Sequence, residues 1–142
     1  MAKFDDSLVA VTSRSFSTNQ FLVKKLKESY PNVSLNLTGK TLKENELVKF
    51  LATADKAIVG IEIIDKDILD QLPKLKLISK YGVGLNNLDL GECKKRNIQI
   101  KFQPGSNKQS VAEFTLLLML NSLRQVHNNK TEIIEGNWTQ AK

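Results

Sequence analysis

Five short apolar runs, each followed by a helix-like stretch, constrain this chain more than any other feature. Ser7 to Thr12 is Val-rich and reads as a buried strand. Val33, Leu35 and Leu37 alternate with Ser34 and Asn36, as in a strand covered less on one face at a sheet edge. Ala57 to Gly60, Leu75 to Ile78 and Ile98 to Phe102 complete the set. Helix signals lie between the runs. Ser17 with Gln20, and Thr41 with Glu44, have the spacing of capping boxes, and Phe16 with Phe21 that of a hydrophobic staple. The first helix is expected to carry Phe21, Leu22 and Leu26 inward and to end at Pro31; the second uses Leu47, Val48 and Leu51. Asp65 caps a short helix with Ile68, Leu69 and Leu72, and Asp89 opens another that runs to Arg96. This alternation predicts an α/β fold: a flavodoxin-like, five-stranded parallel sheet in the order 2-1-3-4-5 with helices on both faces. Ligands of such sheets bind beyond the carboxyl ends of the strands.

At one such end stands Lys80-Tyr81-Gly82-Val83-Gly84-Leu85-Asn86-Asn87. Strand, glycine turn and helix follow in the order that aims backbone N–H groups at an anion. Lacking Cβ atoms, Gly82 and Gly84 permit φ > 0 and a close approach of ligand to main chain. The loop reads as a site for a small carboxylate; a tight turn with no ligand is the plainer alternative. As a dinucleotide fingerprint it falls short, with Asn87 in place of the third glycine and Lys101 near the position of the expected ribose-binding acid.

Other candidates have plain alternatives too. Lys80 attracts an anion or is a surface lysine. Glu62 accepts a hydroxyl or is a surface acid leading into a helix. Asn107 and Ser110 face a ligand or cap a helix, Ser110 with Glu113 having capping-box spacing. His127, the single histidine, sits among Asn128, Asn129 and Lys130 without an evident carboxylate partner, which disfavours a general base. Cys93, the single cysteine, excludes an intrachain disulfide and reads as packing rather than a reactive thiol. No metal-ligand spacing and no nucleophile triad is visible.

Composition narrows the partners. The net charge of +6 comes from scattered lysines, and aromatics are 6%, so a solvated basic surface is expected and not a nucleic-acid interface. No run approaches the roughly 20 apolar residues of a membrane span. The absence of an apolar leader and the lone cysteine suggest a cytoplasmic location.

After Pro104-Gly105-Ser106-Asn107 the pattern changes. Phe114 to Leu120 is apolar nearly all round, so this helix needs cover on several sides. Another domain or another chain is expected to supply it. Homodimerisation through this helix is one outcome.

Pro73 to Asp89, with Pro104-Gly105-Ser106-Asn107, Ser110-Val111-Ala112-Glu113 and Gly136-Asn137-Trp138 in the same order, resembles the substrate domain of D-isomer-specific 2-hydroxyacid dehydrogenases, phosphoglycerate-dehydrogenase-like members in particular. That family joins a flavodoxin-like substrate domain to an NAD-binding domain through a long apolar helix. The resemblance implies a substrate-binding domain over 1–103, with the crossover helix and a truncated start of the NAD-binding domain over 104–142. It implies that Gly82, Val83 and Gly84 hold the carboxylate of a small anionic 2-hydroxy or 2-oxo acid, with Lys80 and Asn107 nearby. Thr115 would lie toward the nicotinamide of NAD. Asn86 departs from the family, which usually has an acid there. These 142 residues contain neither the family's Gly-x-Gly-x-x-Gly nor its catalytic arginine, glutamate and histidine, so no catalytic residue is assigned. The chain alone is expected to be inactive and to bind NAD weakly at best. A non-catalytic binding or dimerisation module is the alternative.

Overall fold

The computed structural model describes residues 5–137. Two units divide it, Met1–Pro104 and Gly105–Lys142. In the first, five strands form one parallel sheet: β1 Val9–Val11, β2 Val33–Leu35, β3 Lys56–Val59, β4 Leu77–Lys80 and β5 Gln99–Lys101. Their order is β2-β1-β3-β4-β5, the expected doubly wound arrangement. Ala10 pairs with Ser34 on one side and Ala57 on the other, and Ile78 sits between Ala57 and Ile100. The helices are α1 Arg14–Ser17, α2 Gln20–Ser29, α3 Glu44–Leu51, α4 Lys66–Asp70 and α5 Leu90–Lys95.

The strands are short, and their apolar runs are explained by burial on both faces. Ala10, Ala57, Val59 and Ile78 are fully buried in the sheet. Leu47 and Leu51 of α3, Ile68 and Leu69 of α4, and Cys93 of α5 complete the core. Asp65 and Asp89 cap α4 and α5 as expected, accepting from Ile68 N–H at 3.0 Å and Glu92 N–H at 2.9 Å. The edge strand β2 is half-buried along its whole length, without an alternation in cover.

Several local expectations are corrected. Ser17 does not cap: it is buried, and its hydroxyl donates to Val11 O. Asn19 caps α2 instead, accepting from Leu22 N–H at 3.1 Å. Phe21 is 68% exposed, not inward, while Phe16 packs edge-on against Tyr81. The Thr41–Glu44 box does not form, because Lys43 holds the cap position of α3 without a side-chain bond and Glu44 takes a positive φ. The fourth strand starts and ends two residues later than the apolar run, reaching Lys80.

In the second unit, α6 Lys108–Arg124 turns at Gln125, in left-handed conformation, into α7 Val126–Ile134. Ser110 lies inside α6, not at its cap, which is Asn107. Glu113 accepts from Gln109 Nε2 rather than reaching back to a cap. No residue of α6 is buried; Phe114, Leu116, Leu117 and Met119 are exposed. Trp138 lies outside the described residues.

Ile78 is the central apolar contact of β4, so truncating it leaves a void that a rigid sheet refills poorly. Ile78→Ala is expected to cost about 3 kcal/mol in urea unfolding, within the usual range for such deletions. A loss under about 1 kcal/mol would contradict its place in the core.

Candidate functional site

Polar residues stand at or just beyond the carboxyl ends of the central strands, and they interlock at that edge of the sheet. Thr12, just past β1, is fully buried, and its hydroxyl donates to Glu62 Oε2 at 2.9 Å. Glu62, in the loop after β3, is 2% exposed and also accepts the Gly60 N–H at 2.9 Å. It is no surface acid. Lys80, ending β4, donates to Gly60 O and, at 2.6 Å, to Asn87 Oδ1. The Asn87 amide in turn donates to Gly60 O at 3.2 Å and Glu62 O at 2.6 Å. Past β2, Asn36 is buried; its amide donates to Thr12 O and Lys40 O, both at 2.9 Å, and its Oδ1 accepts the Thr38 N–H and hydroxyl. Buried polar atoms require partners, and among the described residues no buried side-chain N or O lacks one.

This network fixes the glycine loop. Tyr81 N–H still extends the sheet, donating to Val59 O at 2.8 Å. On the far side, Ile64 and Leu88 form an isolated parallel bridge, with Ile64 N–H on Asn87 O and Asp89 N–H on Ile64 O. Between these anchors the N–H groups of Gly82, Val83 and Gly84 meet no acceptor among the described residues. Gly82 has φ +143°, which a side chain disfavours. Gly84 does not have a positive φ, contrary to expectation. Its lack of a Cβ matters sterically instead, since a Cβ there would lie 3.2 Å from Asn86 Oδ1.

Lys80, Gly82, Val83 and Gly84 are thus brought together in the first unit. The Lys80 ammonium already holds two acceptors and has one proton to spare. Burial lowers its pKa from the ordinary 10.5, while the Glu62 carboxylate pulls the other way. Asn107 and Thr115 belong to the second unit. Asn107 caps α6 through its backbone, and Thr115 donates its hydroxyl to Val111 O at 2.7 Å. Cys93 is a buried free thiol whose pKa burial raises, in keeping with packing. His127 lies within α7 and makes no ion pair among the described residues. Among those residues no His, Cys, Asp and Glu cluster could hold a metal.

Sequence reasoning passed over Thr12 and Asn36, and it weighed Asn87 only as the residue in place of a third glycine. Their common signal is a polar residue at the carboxyl end of a strand, or in the loop beyond it, where a doubly wound sheet binds ligands. A cleft of about 430 Å³ opens at the same edge, at the point where strand order reverses between β1 and β3. Ser13, Arg14, Gly60, Glu62 and Tyr81 are among the residues that line it.

A model of the D-isomer specific 2-hydroxyacid dehydrogenase catalytic domain matches residues 9–140. A hydroxypyruvate reductase of Thermotoga maritima is 31% identical over 105 residues, 73% of this chain and 34% of that protein. A D-3-phosphoglycerate dehydrogenase of Archaeoglobus fulgidus is 28% identical over 102 residues, 71% of this chain and 19% of that one. This chain therefore spans about a third or less of the length of these two relatives. Among solved structures, a D-isomer specific 2-hydroxyacid dehydrogenase from a Polaromonas species superposes with TM-score 0.80 at 21% identity, covering 97% of this chain and 43% of that one, which shows the shared fold.

Because burial disfavours the charged form of Lys80, the folded state binds that proton less tightly than the unfolded state. Its contribution to stability therefore rises with pH from the lowered value up to 10.5. The stability of the wild type relative to Lys80→Met, from urea unfolding, is expected to be greater at about pH 10 than at about pH 7. An equal difference at both would place the ammonium in full solvent.

Proposed function

This chain belongs to the D-isomer specific 2-hydroxyacid dehydrogenase family, and from that premise we propose that its first unit holds the carboxylate of a small 2-hydroxy or 2-oxo acid for NAD-dependent hydride transfer. The observation that carries this reading is the run of six successive N–H groups, Gly82 to Asn87, left without acceptors among the described residues in a loop anchored on both sides and opening with the two glycines. A carboxylate has two oxygens that accept such bonds strongly, and fixed donors bind it without first having to be ordered. The partly buried Lys80 ammonium adds positive charge at the base of the loop, with one proton uncommitted. Holding the carboxylate orients C2, the carbon that gains or loses hydride. Asn107 near the carboxylate and Thr115 toward the nicotinamide enter the proposal on family resemblance.

The described residues suit the acid and not the cofactor. A dinucleotide fingerprint needs a third glycine for close helix–strand packing, and Asn87 stands there with its side chain committed to Gly60 O, Glu62 O and the Lys80 ammonium. Supplied with NAD, the family chemistry is hydride exchange at C2; the part of these residues is to bind and align. The 142-residue chain is proposed to bind NAD weakly at best and to lack turnover alone. A cytoplasmic location suits its one buried free thiol. No helix among the described residues is long and apolar enough to cross a membrane.

A second reading rests on α6. Its exposed Phe114, Leu116, Leu117 and Met119 favour pairing with a second copy, making the chain a binding or dimerisation module. Association and acid binding are compatible. They separate on one variant, Gly84→Val, whose side chain crowds Asn86 and the ligand face of the loop.

In amide-resolved NMR titrations with glycerate, the signals of Gly82 to Gly84 are expected to shift in the wild type. In Gly84→Val the binding is lost while the association state, read by light scattering, is retained. Unmoved loop amides at saturating acid would refute the carboxylate site. NADH consumption by the purified chain would refute the absence of turnover, and a monomer at high concentration would count against pairing through α6.

A further inference from the structure

We propose that the cleft at the β1/β3 switch is a distal anion subsite centred on Arg14, so that the preferred ligand is a 2-hydroxy acid carrying a second anionic group, a phosphate ester or a second carboxylate. This rests on the reading of the glycine loop as the site of the first carboxylate.

Arg14 begins α1 at the mouth of the cleft. Among the described residues it makes no ion pair; its one bond goes from Nη1 to Gly39 O, at 3.2 Å. Arg96 shows the contrast, with its guanidinium between Asp70 and Glu92. An arginine held by a carbonyl keeps its charge uncompensated and four of its five N–H donors available. Its side chain is exposed, and the carbonyl that it meets is fixed. The Gly39 carbonyl belongs to a turn tied down by the buried Asn36, which bonds Thr38 on one side and Lys40 and Thr12 on the other. A buried residue of the edge-strand loop thus fixes the carbonyl to which the exposed guanidinium donates.

The rest of the lining fits the assignment. Ser13 and Ser15 hydroxyls lie 3.3 Å apart, so one donates to the other and one proton stays available. Glu62 also lines the cleft, but its Oε2 is committed to the Thr12 hydroxyl and the Gly60 N–H, and it attracts the Lys80 ammonium. The cleft is therefore polarised, with positive charge at Arg14 and an acceptor at Glu62. Such a wall disfavours an anion that fills the whole cleft. It suits a ligand with a hydroxyl donor toward Glu62 and an anionic tail toward Arg14. Tyr81 forms one wall and directly precedes Gly82, so the cleft adjoins the proposed carboxylate loop. The volume of about 430 Å³ lies in the range of small-molecule sites.

The test is an amide- and guanidinium-resolved NMR titration of the 142-residue chain, wild type, Arg14→Gln and Arg14→Lys, with four probes: glycerate, 3-phosphoglycerate, malate and inorganic phosphate. In the wild type, 3-phosphoglycerate or malate is expected to shift both the Gly82–Gly84 amides and the Arg14 and Ser15 signals, and to bind about tenfold more tightly than glycerate. That ratio falls to about one in Arg14→Gln and is partly restored in Arg14→Lys. Whichever of the two doubly charged acids shows the larger Arg14-dependent gain identifies the tail as phosphate or carboxylate. A ratio of about one in the wild type, or one unchanged by Arg14→Gln in a chain whose spectrum shows it folded, overturns the subsite and leaves the carboxylate loop standing. If glycerate leaves the loop amides unmoved while inorganic phosphate shifts Arg14 and Ser15, the loop reading fails and the anion subsite stands. If phosphate and both doubly charged acids leave Arg14 and Ser15 unmoved, the subsite is overturned.

Discussion

The carbonyl of Gly60 is the point on which the carboxyl edge of this sheet depends. A parallel strand that stops inside a domain leaves backbone groups that must find partners away from bulk water. Here Gly60 O receives the Lys80 ammonium and the Asn87 amide, while Gly60 N–H is taken by Glu62. One backbone unit thereby ties together the end of β3, the end of β4 and the loop after β4. The partly buried charge of Lys80 is held by a carbonyl and an amide oxygen, with the Glu62 carboxylate nearby, in place of part of its water.

That arrangement explains how a loop remains ordered although its six N–H groups from Gly82 to Asn87 meet no acceptor among the described residues. Ladder pairing at Tyr81 and the Ile64–Leu88 bridge pin its two ends, and Asn87 closes it against the neighbouring loop. Donors held open in this way would need little reorganisation to take the proposed carboxylate. The same economy holds one strand further out, where Asn36 fixes the turn that supports Arg14. In both places an amide side chain, Asn87 partly buried and Asn36 fully so, sets the geometry beside the cleft rather than a regular element.

Much of the fold was legible because its signals are local and redundant. Apolar runs too short for helices, separated by capped helical stretches, admit few arrangements other than a parallel sheet, and the order β2-β1-β3-β4-β5 followed from the count and the edge-like second run. Capping at Asp65 and Asp89 was read correctly because each is followed by a run with one evident start. Ser17 and Thr41 misled, since capping-box spacing arises by chance among polar residues and the true start depends on where the preceding strand releases the chain. Phe21 was misassigned for a related reason: α2 begins at Gln20, which turns that ring to solvent.

The sequence alone was enough to indicate the architecture and the family, and to propose the glycine loop as a candidate site, because periodicity and motif order are properties of neighbours along the chain. It did not reveal that Glu62 is buried, that Lys80 and Asn87 meet on one carbonyl, or that Arg14 stands at a cleft without a carboxylate partner. Those contacts join residues from 7 to 50 positions apart. They arise when the sheet sets its strand ends side by side, and only there does a polar residue at the end of one strand acquire partners from the others.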